Sequence, residues 1–198
     1  MQCMKLRFTL DTGCVIAIVR REQPGTPPEQ LAALESLIEL ARAGTIDLQL
    51  AAAYERDFDR YRGDEGRQRQ LEWLQQAPIA AEPVGGLFII GVSRLGGPDV
   101  IASENDGDFA LAVRNVLDPT FDGSKLHDAS HTKLAKRTSD TDHLIAHHRS
   151  AAHAFVTLDE CTILVHRDAL ARLCVKVCWP TEAARRSRHR ERNRVARP

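Results

Sequence analysis

Residues 5–10 (KLRFTL) form a β-rich run that ends at Asp11. A turn-like stretch from Glu22 to Pro28 holds three prolines and a glycine, and Thr26 is placed to cap a helix with Pro27 and Pro28 in its first turn. Leu31, Leu34, Leu37, Ile38 and Ala41 then recur at helical spacing, with Glu35, Glu39 and Arg42 on the other face and Gly44 as a stop. Residues 46–50 (IDLQL) read as a second strand. Ala51 to Arg62 reads as a helix with Tyr54, Phe58 and Tyr61 on one face, and Glu65 to Ala77 as another. Leu87 to Val92 (LFIIGV) predicts a strand before a Gly96-Gly97-Pro98 break, and Asp106 to Leu117 a helix. Pro119 to Ser139 is polar, with a glycine turn and a short helical piece. The pattern then sharpens into a helix over Thr141 to His153, a strand over Ala154 to Leu158, a helix over Thr162 to Leu173 and a last strand over Cys174 to Cys178.

Strands separated by helices along the whole chain predict an α/β fold with a mainly parallel central sheet flanked by helices. In such sheets chemistry sits beyond the carboxyl ends of the strands. Asp11 and Asp159 each directly follow a strand. Glu55 falls in the first turns of the helix after the second strand, and Asp142 at the start of the helix before the AFVTL strand.

In a parallel sheet all four acids project at one edge. Carboxylates so close repel one another, at a cost that grows as the site dries, and a divalent cation is the usual way to neutralise them. Hard oxygen donors without His or Cys alongside point to Mg²⁺ or Mn²⁺ rather than zinc. A structural reading stands beside this one. Asp at a strand end also serves as a turn former or helix cap, Asp142 can cap its helix, and Glu55 can be a solvated surface acid.

Three segments carry a resemblance: FTLDTGCVIAI around Asp11, LQLAAAYERDF around Glu55, and DHLIAHHRSAAHAFVTLDE from Asp142 to Glu160. Together they resemble a PIN domain, a family of metal-dependent ribonucleases, and VHRDALARLCVKVCWP is similar to that family's closing helix and strand. Both ends of the chain are covered; residues 79–139 do not align. Carried over, the family's acids fall on Asp11, Glu55, Asp142 and Asp159 as metal-holding catalytic residues, and Thr157 matches the Thr that accompanies the last acid. Thr12 follows the first Asp as in many members, whereas Gly13 stands where a small polar side chain is common.

The resemblance implies a PIN-like nuclease domain over residues 1–182 that hydrolyses RNA phosphodiester bonds with one or two Mg²⁺ or Mn²⁺ ions, a pair lying about 3.5–4 Å apart. RNA is then the expected partner. A toxin held by an antitoxin-like protein, an RNA-processing enzyme and a homodimer are all compatible with it. The alternative is a catalytically inactive PIN-like module that binds RNA or protein.

Acids and bases balance at 27 each over 198 residues, but 22 of the bases are Arg and their placement is uneven. Residues 185–198 hold seven Arg and one Glu, a local net of +6, which leaves −6 on the rest. Residues 183–198 therefore read as a basic, flexible tail or a frayed helix whose removal costs little stability, with RNA, an acidic partner or solvent as its contact. No apolar run approaches the roughly 18–20 residues of a membrane span, and the N-terminus is too acidic at Asp11 for a signal peptide. Five cysteines without paired spacing (Cys3, Cys14, Cys161, Cys174, Cys178) fit a reduced cytoplasmic chain.

Weaker motifs point elsewhere. Asp11-Thr12-Gly13 is also the aspartic-protease triplet, but that chemistry needs an all-β setting. Haloacid-dehalogenase-like phosphatases need a second Asp where Gly13 stands. The pairs His127/His131 and His143/His147 have zinc-compatible spacing, yet with no HExxH or Cys cluster they are expected to be exposed helix histidines. Tyr54, Phe58 and Tyr61 are expected to pack in the core rather than stack on bases.

Overall fold

The computed structural model describes residues 5–20, 25–59, 64–80, 83–86, 101, 103–120 and 131–195. In chain order the elements are β1 (Leu6–Leu10), α1 (Thr12–Val19), α2 (Pro28–Arg42), β2 (Ile46–Leu50), α3 (Ala53–Asp59) and α4 (Asp64–Gln76). They continue with α5 (Glu104–Leu117), α6 (His131–Arg149), β3 (Ala154–Val156), α7 (Arg167–Arg172), β4 (Val177–Cys178) and α8 (Pro180–Val195). The four strands form one parallel sheet in the order β2-β1-β3-β4. The expected α/β architecture is thus present. The strand expected over 87–92 lies outside the described residues.

Side-chain alternation along the strands builds the two layers. Phe8, Leu10, Ala154, Val156, Ile46, Leu48 and Leu50 face one side, where they are buried with Cys14, Leu34, Leu37 and Ala183 from α1, α2 and α8. Phe155 points the other way, into a second core with Leu144 of α6, Val113 of α5 and Leu170 of α7. Thr9 lies in register with Gln49 and Phe155. It meets α6 through a polar contact: Gln49 Nε2 donates to Thr9 Oγ1 at 2.8 Å, and Thr9 Oγ1 lies 3.0 Å from His147 Nδ1. Thr9 and His147 thus share a buried hydrogen bond. Burial pushes that imidazole down to about 4.

Several expectations change in detail. Thr26 does not cap α2; the helix starts at Pro28 with Pro27 in the capping position, since Pro at the first helical position has a preset φ and no N–H to satisfy. Gly44 does end that region, with a φ of +69° that favours glycine. Helix α1 follows Asp11 at once, because a segment apolar on most sides can be buried whole: Thr12, Cys14, Val15, Ala17 and Ile18 are all buried. Helix α6 begins ten residues before the predicted start, so Asp142 lies inside the helix and cannot cap it. His143 and His147, expected to be exposed, are buried at 1% and 2% exposure. His127 lies outside the described residues. Tyr54 packs against the first core; Tyr61 lies outside the described residues.

Residue 183 marks no break in the chain. Helix α8 runs through it to Val195, with Ala183, Ala184 and Ser187 buried. Small side chains at 183 and 184 allow α8 to lie close on the first core, which is why an Arg-rich segment with little apolar content still docks. Among the described residues no helix is long and apolar enough to cross a membrane.

Candidate functional site

The carboxyl edge of the sheet is organised around Asp11. Its backbone N–H donates to the Val156 carbonyl at 2.9 Å, which seats the residue between the ends of β1 and β3. Thr157, directly after β3, ties two acids together. Its hydroxyl donates to Asp11 Oδ2 at 2.6 Å and accepts the Asp159 N–H at 3.0 Å. Asp159 Oδ1 in turn accepts the Thr162 N–H at 2.7 Å, so this acid is also a turn former, as the structural reading allowed.

Helices α3 and α6 bring the other acids. Asp57 Oδ2 accepts from Thr12 Oγ1 at 2.9 Å and from His143 Nε2 at 2.8 Å, and Asp57 Oδ1 accepts from Ser139 Oγ at 2.7 Å. Thr12 Oγ1 also lies 3.3 Å from His143 Nε2. Ser139, Asp140 and His143 share one helical face of α6 through their i, i+3 and i, i+4 spacing. His143 Nδ1 is buried and finds no hydrogen-bond partner among the described residues. The ring is therefore held by its Nε2 alone, with Phe155 beside it at 6.1 Å between centroids.

These groups act on one another electrostatically. Burial raises the Asp11 carboxyl; His143 and the Thr157 hydroxyl oppose the shift, and the charges of Asp57 and Asp159 add to it. Asp140 is pushed up to about 7, by burial first and then by Asp11, Asp159 and Asp57 against the relief from His143. His143 shifts upward although burial works against it, because Asp57, Asp11 and Asp140 favour its cation. An excess of negative charge thus sits in a partly dry site that favours the charged form of His143.

Of the four acids singled out in the sequence, Asp11 and Asp159 come together here. Asp57 and Asp140 complete the group. Glu55 lies two residues from Asp57, and Asp142 two residues from Asp140, each about 200° of helical rotation away. Asp142 is buried against a different neighbour: a Cβ on Gly86 would stand 3.4 Å from its carbonyl oxygen and 3.6 Å from its Oδ1. Neither Glu55 nor Asp142 is among the main charges acting on Asp11, Asp140 or His143. The signal that finds Asp140 is its spacing to His143 and His147, three positions that share a face once the histidines are known to be buried.

Among the described residues no three His, Cys, Asp or Glu side chains form a ready-made metal-ligating set. Both Asp57 oxygens, Asp11 Oδ2 and Asp159 Oδ1 are engaged in hydrogen bonds. Carboxylate oxygen is nonetheless the donor a hard divalent cation takes, and Asp11, Asp57, Asp140 and Asp159 act on one another at this edge, with burial the first cause of the upward shifts at Asp11 and Asp140. No family model matches the chain, and no curated protein matches it.

Proposed function

We propose that this chain is a PIN-like, Mg²⁺- or Mn²⁺-dependent endoribonuclease whose metal-holding acids are Asp11, Asp57, Asp140 and Asp159. The observation that carries the reading is the gathering of these carboxylates, from four separate elements, at the carboxyl edge of a parallel sheet, with Asp11 and Asp140 both resisting ionisation.

Bound there, Mg²⁺ or Mn²⁺ would polarise a phosphodiester and acidify a water. The chain's own residues prepare the site. Thr157 fixes the orientation of Asp11 and the turn that carries Asp159. Ser139, Thr12 and His143 hold Asp57 by three hydrogen bonds, so its carboxylate is oriented before any ligand arrives.

In this reading RNA is the substrate and the cytoplasm the compartment, in keeping with free thiols at Cys14, Cys161, Cys174 and Cys178. The resemblance allows a toxin restrained by an antitoxin-like protein, an RNA-processing enzyme and a homodimer alike. A second reading, an inactive PIN-like module for RNA or protein binding, draws on the engaged carboxylate oxygens and the lack of a ready-made metal set among the described residues.

The two readings separate on Asp11. Asp11→Asn removes one carboxylate and keeps the shape, so cleavage of single-stranded RNA in Mn²⁺ should fall by about 10²-fold or more while the circular dichroism spectrum is unchanged. Cleavage at the wild-type rate would remove Asp11 from the chemistry.

A further inference from the structure

The opposite edge of the sheet carries the opposite charge. Lys5 and Arg7 lie at the start of β1, His153 directly before β3, and Lys176 directly before β4. Helix α8 starts beyond the carboxyl end of β4 and runs back along α2, so its later turns reach this amino edge. There Arg185, Arg186, His189 and Arg190 line a groove of about 430 Å³ with Leu6 as its apolar floor. His153 anchors the junction: its Nδ1 accepts the Arg7 backbone N–H at 3.0 Å, and its backbone N–H donates to the Arg7 carbonyl at 2.8 Å. Arg190, Arg7 and Lys176 all act on its imidazole, which places these cations around one point. Between Arg185 and Arg192 the helix carries five Arg against the single Glu191.

We propose that this groove is a docking strip for the backbone of single-stranded RNA, remote from the acidic site. The chemistry of the rim selects the partner. Guanidinium groups match phosphate oxygens in a bidentate fork and stack on bases, which a Lys-rich rim would not do, and the chain places Arg rather than Lys along α8. The Leu6 floor accepts the flat face of a base or a ribose between those guanidiniums. The proposal rests on the ribonuclease reading for its choice of RNA. It also adds a geometric consequence. Strand β1 spans five residues, about 17 Å, so RNA held at one edge and cut at the other must cross at least that distance. Very short RNAs should therefore ignore the arginines.

The test measures binding, not cleavage. The full-length protein is titrated in excess EDTA against a fluorescent oligouridine of roughly 20 nucleotides across a salt series, and the combined variant Arg185→Ala, Arg186→Ala, Arg190→Ala is compared. The variant should bind on the order of tenfold more weakly at low salt, and the slope of log K against log salt should fall by about 2, the release expected for three phosphate contacts on a single strand. The three Arg→Lys substitutions serve as a folding control and should keep most of the salt slope. An unchanged affinity and slope in the Ala variant would overturn the proposal. So would equal displacement of the RNA by a poly-glutamate peptide of matching charge, which would make an acidic protein the partner. RNA that binds through these arginines but is never cut would leave the strip standing and remove the ribonuclease reading; cutting of the same roughly 20-nucleotide RNA that ignores them would do the reverse.

Discussion

Asp140→Asn should stabilise the metal-free protein by about 2–4 kcal/mol at pH 8, an unusual sign for a substitution in a partly buried site. The folded-state pKa of Asp140, about 7, is raised above its ordinary 3.8. The unfolded chain therefore ionises first. Between these two values stability falls as pH rises, and above pH 7 the whole penalty is present; Asn removes it. Asp11 is shifted the same way and adds to the effect.

His147 has the opposite sign. Its folded pKa of about 4 is depressed below the ordinary 6.5, so its contribution, about 3 kcal/mol, is full above pH 6.5 and is lost as pH falls toward 4. In the wild-type protein the Asp140 and His147 slopes oppose each other between about pH 4 and 6.5, so acid should cost less stability there than it does in Asp140→Asn. In Asp140→Asn the His147 slope is exposed, and stability should drop steadily over that window. Urea unfolding at intervals of pH, with and without Mn²⁺, reads all of this. Added Mn²⁺ should raise the wild-type midpoint and raise that of the variant far less. A variant less stable than wild type at pH 8 would mean that Asp140 does not sit among like charges.

The second large effect separates neighbouring acids on one helix. Asp57→Asn should cut Mn²⁺-dependent RNA cleavage and Mn²⁺ affinity by about 10–100-fold, whereas Glu55→Gln should change either by less than about threefold. Asp57 is the hydrogen-bond partner of buried His143, so folding is checked by circular dichroism and Mn²⁺ affinity is measured on the folded fraction. The reverse pattern, with Glu55→Gln inactive and Asp57→Asn intact, would return the site to the acid the resemblance selects.

That contrast marks where the sequence was legible. Strands β1 and β2 and helix α2 follow directly from apolar spacing and from Gly44, and Asp11 and Asp159 follow from their places at strand ends. The phase of helices α3 and α6 was not legible. Asp142 is selected by the helix start expected at Thr141 and by the resemblance; Asp140 falls outside that expected helix, whereas α6 begins at His131 and includes both. Two residues along a helix turn a side chain by about 200°, so Asp140 and Asp142 stand on different faces of α6. Helix α1 escaped notice because it is apolar nearly all round, and the first half of α6 because HTKLAKRTSD offers no apolar stripe. Helix α8 was obscured by its arginines, although Ala183, Ala184 and Ser187 supply the narrow strip that docks.

The central claim is that these carboxylates hold a metal that cuts RNA. Cleavage of a single-stranded RNA by the purified full-length protein, followed in Mn²⁺ and in excess EDTA, tests it directly. Cleavage should occur in Mn²⁺, stop in EDTA and return when Mn²⁺ is restored; cleavage that proceeds equally well in EDTA, or that never occurs in Mn²⁺, would contradict it.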